Sequence, residues 1–213
     1  MMRVLIMTAV EVERDAVLRG LGDDSRFIVE LAGVGIVEAA ISAAAALAAA
    51  DYDLVVSAGI AGGFAGQAEI GSVVVASEII AADLGVQTLG GFSSLDELGF
   101  GTTRVKVAAD VAARLTAALQ AAGLAAHAGP VLTVATATGT AATAAELAAR
   151  VPGAAAEAME GFGIASAARR RGVPVLEIRT ISNAVGPRDR DAWRIGDALK
   201  ALQTASSVLA EVL

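Results

Sequence analysis

The sequence predicts an α/β fold around a mostly parallel, twisted sheet, on three observations. Short β-rich runs alternate with Ala-rich helical runs along the chain, the order that crossover connections between parallel strands require. Glycine and polar residues collect where the β-rich runs end, and open α/β sheets bind ligands outside the carboxyl ends of their strands. At 213 residues and 55% hydrophobic content, the chain can bury one full core, so residues 1–213 read as a single domain.

Residues 3–9 read as the first strand, because the leading apolar run from Met1 is too short for a secretory segment and Glu11, Glu13 and Asp15 follow at once. Residues 11–21 read as a helix, 27–32 as a strand and 36–50 as a second helix. That second helix is Ala-dominated and interrupted by Glu38, which suits a packed helix better than a membrane span. Residues 53–58 read as a buried strand ending in Gly59, followed by strands at 72–80 and 103–107. A helix at 109–122, a strand at 131–135 and a helix at 141–150 come next. Residues 161–171 read as a helix whose terminal Arg169-Arg170-Arg171 offsets its macrodipole. Residues 173–182 are the last strand and 193–213 the closing helix. The Ala runs keep helical composition, so these helices read as thin and closely packed, not as disorder. Residues 85–102, with Gly90-Gly91, Phe92 and Phe100, are the one long irregular stretch and read as a lid or an interface segment.

Composition excludes several kinds of chemistry. The formal charge is −7 and no basic cluster exists beyond residues 169–171, which argues against nucleic-acid binding. The absence of Cys excludes disulfides, thiolate catalysis and Cys-based metal sites. The single His, His127, excludes a His-rich metal site, and its setting in Ala-Ala-His-Ala-Gly-Pro reads as a loop. The chain is expected to be soluble and cytoplasmic.

Residues 154–165 place Glu157 and Glu160 in a run of small apolar residues that otherwise reads as buried. A desolvated carboxylate needs a partner, and Gly161 and Gly163 let a backbone or ligand come close. Glu160 reads as gripping a polar ligand where a strand gives way to a helix; the alternative is a helix-start acid satisfying backbone N–H groups. Gly59-Ile60-Ala61-Gly62-Gly63 and Gly33-Val34-Gly35 follow strands but lack the spacing of a dinucleotide fingerprint. A dinucleotide-binding oxidoreductase and a non-catalytic binding protein stay open at this point.

With those residues in view, the chain resembles the nucleoside phosphorylase and nucleosidase superfamily over essentially its full length, through residues 8–13, 57–63, 158–161 and 179–183. Within it the chain is most similar to the futalosine hydrolases of menaquinone biosynthesis. Two runs carry that likeness: Glu157-Ala158-Met159-Glu160-Gly161-Phe162-Gly163 and Arg179-Thr180-Ile181-Ser182-Asn183-Ala184-Val185-Gly186-Pro187-Arg188-Asp189-Arg190. The resemblance implies a nucleoside phosphorylase-like three-layer sandwich that hydrolyses futalosine to hypoxanthine and dehypoxanthine futalosine. Methylthioadenosine, adenosylhomocysteine or inosine are the alternative substrates. It also implies a small-molecule nucleoside as partner, no metal or organic cofactor, and no nucleic acid or membrane. Relatives are homo-oligomers whose neighbouring subunit often closes the 5′ side, a role Phe92 or Phe100 would serve.

Breaking an N-glycosidic bond builds positive charge on the ribose, so carboxylates around the sugar stabilise the transition state. The resemblance gives Glu13 the attacking water and Glu160 the ribose hydroxyls, with Met159 beneath the sugar. Ile60 stands where a phosphate-contacting Ser often sits, which favours hydrolysis; Ile60, Ala61, Gly62, Phe162 and Ser182 are expected to line the site. Asn183 stands where adenine-specific nucleosidases carry an acidic Asp. An Asn cannot protonate a base, but its amide can donate to N7 and read the carbonyl of hypoxanthine; Asp189, or no side chain at all, would then supply the acid. Arg188, Arg190 and Trp193 offer a cation and a flat wall to the carboxyphenyl arm of futalosine. The alternative there is a self-neutralising charged turn with Trp193 as a core anchor.

Overall fold

The computed structural model describes residues 2–213; Met1, part of the leading apolar run, lies outside the described residues. The elements run β1 (Val4–Thr8), α1 (Glu11–Leu21), β2 (Phe27–Leu31), α2 (Ile36–Ala49), β3 (Leu54–Gly63), β4 (Val73–Ala81), β5 (Gly85–Thr88) and β6 (Gly91–Ser94). They continue through α3 (Leu95–Leu98), β7 (Arg104–Lys106), α4 (Ala109–Ala121), β8 (Ala126–Thr133), α5 (Ala141–Arg150), β9 (Ala156–Ala158), α6 (Gly161–Arg170), β10 (Val175–Ala184) and α7 (Ile195–Val212).

The sheet is mixed, with most of its pairings parallel, as the alternation leads one to expect, and three short antiparallel ones among them. Pairs β1–β2, β1–β3, β3–β10, β4–β8 and β8–β9 are parallel, whereas β4–β10, β3–β9 and β4–β7 are antiparallel. Strand β10 pairs with β3 along one edge and β4 along the other, so β3, β10, β4, β8 and β9 close into a ring. Strands β1 and β2 extend from β3. The antiparallel pairs arise because β4 follows β3 without a crossover helix and β9 enters as a three-residue strand.

Side chains alternate between two cores. Leu5, Met7 and Val55 meet the Ala-rich faces of α2 and α6, while Val4, Ile6, Leu54 and Val56 meet α1, α4 and α7. The helices are thin for a reason: a Cβ on Gly163 of α6 would lie 2.3 Å from the Ile36 carbonyl oxygen at the start of α2. Among the described residues, no helix is long and apolar enough to cross a membrane.

Three local expectations are corrected. Residues 85–102 are not irregular: they form the β5–β6 hairpin and then α3, whose Ser94 accepts the Glu97 N–H while the Glu97 carboxylate accepts the Ser94 N–H. His127 lies within β8, opposite Val74, not in a loop. The Gly129-Pro130 pair that suggested a turn sits where the β4 register shifts between Ala76 and Glu78, and such an irregularity accommodates the missing proline N–H. Finally, the strand expected to end at Gly59 continues through Gly63 as β3, which removes the geometry a phosphate-binding glycine loop would need.

Candidate active site

A cavity of about 390 Å³ opens at the carboxyl ends of β1, β3 and β10, beside β9. Of the residues expected there, Glu13, Ile60, Ala61, Gly62, Met159, Glu160, Ser182, Asn183, Arg188 and Trp193 all line it. Two do not. Phe162 is buried in the α2–α6 core, its backbone N–H donating to Thr133 Oγ1 at 2.9 Å. Arg190 is solvent-exposed and lies over the Trp193 ring at 6.0 Å, outside the cavity lining. A larger space of about 1010 Å³ between the hairpin and α5 shares Ala137 and Thr138 with the cavity but none of its buried acids.

Glu13 enters from the first turn of α1 and folds back over the helix start. Its Oε2 accepts the Ala9 and Val10 N–H groups at 3.0 and 3.3 Å, and its Oε1 accepts the Ile60 N–H at 2.8 Å. Three backbone donors therefore fix this carboxylate at the junction of β1 and β3. Burial pushes its carboxyl above the ordinary value of 4.5, while Arg179 and the Ile60 N–H pull the other way.

Glu160 precedes α6 but makes no cap to its first turn. Its Oε1 accepts the Gly35 N–H at 3.2 Å, and its Oε2 lies 3.4 Å from Arg179 Nη2. This geometry disfavours the helix-start alternative. The carboxylate is held by another element and a cation.

Arg179, to which the sequence alone assigns no part in the site, is its hub. It is 1% exposed, donates from Nε to Glu177 Oε1 at 2.8 Å and from Nη2 to Ser57 Oγ at 3.0 Å, and faces Glu160. Gly59 lies opposite it in the ladder, and a Cβ there would stand 2.6 Å from Glu13 Oε1 and 2.8 Å from Arg179 Nη1. Gly59 is thus the gap through which the ions meet. Glu177 has no exposure, and burial raises its carboxyl despite Arg179. Breaking such a buried pair costs about 3–5 kcal/mol, because one charge is left unmatched. The signal was present in the sequence: Glu177 and Arg179 are two apart in the otherwise apolar start of β10, hence on one face.

Asn183 follows a register shift in β10 that turns its amide toward the cavity. Its Nδ2 donates to the Ala184 carbonyl at 3.0 Å and its Oδ1 accepts from Ser182 Oγ at 2.8 Å. Because a carbonyl can only accept, these contacts set the amide orientation and leave one N–H free to donate. Glu157, also in the lining, accepts the Thr138 N–H at 2.8 Å and the Thr138 hydroxyl; burial raises its carboxyl against those bonds. At the rim, Arg188 lies over the Trp193 ring at 5.3 Å, and Arg188 is exposed.

Together these groups set two fixed carboxylates and a cation against one side of a small cavity and an amide against another. That arrangement can meet a developing sugar cation and a departing heterocycle. Comparison with known proteins agrees. Residues 10–213 match the Phosphorylase superfamily. A futalosine hydrolase from Streptomyces coelicolor is 53% identical, with 100% of this chain and 97% of that protein covered, and one from Acidothermus cellulolyticus is 46% identical over 96% and 89%. A futalosine hydrolase mutant from Helicobacter pylori superposes with a TM-score of 0.87 over the whole of both chains at 16% identity, a likeness of fold. The chain belongs to the phosphorylase superfamily and, within it, to the futalosine hydrolases.

Proposed function

We propose that this chain hydrolyses the N-glycosidic bond of futalosine, releasing hypoxanthine and dehypoxanthine futalosine for menaquinone biosynthesis. The observation that carries the reading is the 53% identity to a futalosine hydrolase along the full chain. The buried acids beside Asn183 support it.

In this reading Glu13 takes a proton from the attacking water, a task suited to a carboxylate whose affinity for protons burial has raised. Glu160 accepts hydrogen bonds from the ribose hydroxyls and balances charge as the C1′–N9 bond opens. Arg179 opposes the effect of burial on Glu13 and pairs with Glu160 at 3.4 Å. The free Asn183 N–H donates to the leaving base at N7 or O6. Ile60, apolar at the mouth of β3, offers nothing to a phosphate, and Arg179 is already engaged by Glu177 and Ser57. Water is therefore the nucleophile.

Met159 packs beneath the sugar, and Arg188 with Trp193 receives the carboxyphenyl arm. We further read residues 1–213 as one domain, a three-layer sandwich in a cytoplasmic homo-oligomer. Phe100, 79% exposed, is then the aromatic available to a neighbouring subunit, since Phe92 is stacked under Arg150 of its own chain at 3.7 Å.

The deciding experiment is base release from futalosine, inosine and methylthioadenosine, with and without phosphate. Phosphate-independent release of hypoxanthine, fastest from futalosine, is expected. A preference for methylthioadenosine, or a requirement for phosphate, would overturn the reading.

A further inference from the structure

Glu157 is a buried carboxylate to which the reaction above gives no task. It stands on β9 between Ala156 and Ala158, directly opposite Gly62 of β3. On the other side of β3, Gly62 is also the partner of Asn183 in β10. The three residues thus form one row across three adjacent strands. Paired residues project to the same face, so Glu157 and Asn183 flank a position that has no side chain, two strand spacings or about 10 Å apart. All three line the same cavity. A Cβ at Gly62 would stand 2.9 Å from Val185 Cγ2 and 3.3 Å from Asn183 Nδ2, so a side chain there would press on Val185 and on the amide that forms one wall of this slot.

The two walls of this slot have opposite hydrogen-bonding character. Asn183 turns its free N–H inward, as its bonds to Ser182 and Ala184 require. Glu157 receives two donors from Thr138, and an ionised carboxylate has about four acceptor sites, so two remain. A flat heterocycle lying over Gly62 would meet a donor at one edge and an acceptor at the other. A 6-oxopurine presents that pattern: N7 and O6 accept on one side, and N1–H donates on the other. A 6-aminopurine inverts it, since its N1 is an acceptor that would face the carboxylate lone pairs.

We propose that Glu157 is the base-selecting residue of the site, its carboxylate accepting the N1–H of a 6-oxopurine while the free N–H of Asn183 donates to O6 or N7. The inference rests on the nucleoside-hydrolase reading and deepens it by assigning where the base is chosen. Sites built to satisfy one polar pattern reject its inverse strongly, because the unmatched buried group pays the full desolvation cost.

Titration calorimetry with free hypoxanthine, 1-methylhypoxanthine and adenine tests this without turnover. The wild-type protein should bind hypoxanthine about tenfold or more tighter than either other base, the value of one charged hydrogen bond. Glu157→Ala should shrink the gap between hypoxanthine and its N1-methyl analogue to about twofold or less. Glu157→Gln, whose amide can present either a donor or an acceptor, should narrow the gap between hypoxanthine and adenine, and it decides the matter if the alanine variant fails to fold. The proposal is overturned if the wild type does not distinguish these bases, if the gaps persist in the variants, or if all three bases weaken equally, as they would if Glu157 only braced Thr138. Wild-type turnover of futalosine is measured alongside: its absence sinks the hydrolase reading, whereas turnover with unchanged gaps sinks this assignment alone.

Discussion

The floor of the cavity and its rim are built by opposite means. On the floor, Glu13, Glu160 and Arg179 are at most 6% exposed and are each fixed by backbone or ionic partners from other elements. At the rim, Arg188 and Arg190 are exposed and stack only on the one Trp. Charges on the floor act across a dry medium and are costly to disturb, while those on the rim are screened by water. The floor is therefore suited to chemistry and the rim to choosing among substrates.

Substitutions separate the two regions, beginning with the largest effect. Glu13→Gln should keep the fold and lower kcat by about a hundredfold to ten-thousandfold, the usual worth of a general base; near-normal turnover of futalosine would make Glu13 a structural acid. Glu160→Ala should slow the reaction more than about tenfold, as charged hydrogen bonds are worth about 1.5–3 kcal/mol. Unchanged kinetics with a lower melting temperature would return Glu160 to a helix-start role.

The floor should also titrate abnormally. The Glu13 carboxyl is raised above 4.5, and the base must be ionised, so kcat/KM should fall as pH drops through a midpoint above that value. The same shift acts on stability with a definite sign. The folded state holds the Glu13 proton more tightly than the unfolded chain, so this group's stabilising contribution is full below the unfolded pKa and is lost as pH rises through the folded one. A pH–rate profile with its acid limb at or below 4.5 would exclude Glu13 as the base. The rim gives the smallest effect: Arg188→Gln should raise KM for futalosine by about threefold to tenfold and leave inosine nearly unchanged, because the contact is partly screened. Equal losses on both substrates would place the carboxylate site elsewhere.

Much of this division was legible in the sequence. Helices α1 and α5 have the expected bounds, since each is a helical run between clear breaks. Glu13, Glu160 and Asn183 stood out as polar residues at strand ends. What escaped was whatever depends on strands meeting in space. The β3 strand reads as ending at Gly59 because the purpose of its glycines, leaving room for Arg179, Glu13 and Val185, exists only once β10 lies alongside. The β8 strand was shortened because Gly129-Pro130 is tolerated only opposite the shift in β4. The hairpin at residues 85–94 was missed because its strands are four residues each, with no apolar alternation to reveal them. Phe162 belongs to the run that carries the family resemblance, but the first turn of α6 carries it to the opposite, core-facing side.

The closed ring of strands has a consequence for how the molecule breathes. Residues 178–180 of β10 are paired on both sides, to β3 and to β4, whereas β2 and β7 each pair with a single neighbour. A strand at an edge can peel away alone; one inside a ring must break two ladders at once. Amide protons of residues 178–180 should thus exchange with deuterium only through global unfolding, while the β5–β6 hairpin exchanges by local opening. The backbone beneath the ions offers no route by which a nucleoside could enter or a base depart, so both must pass over the rim that residues 185–193 form.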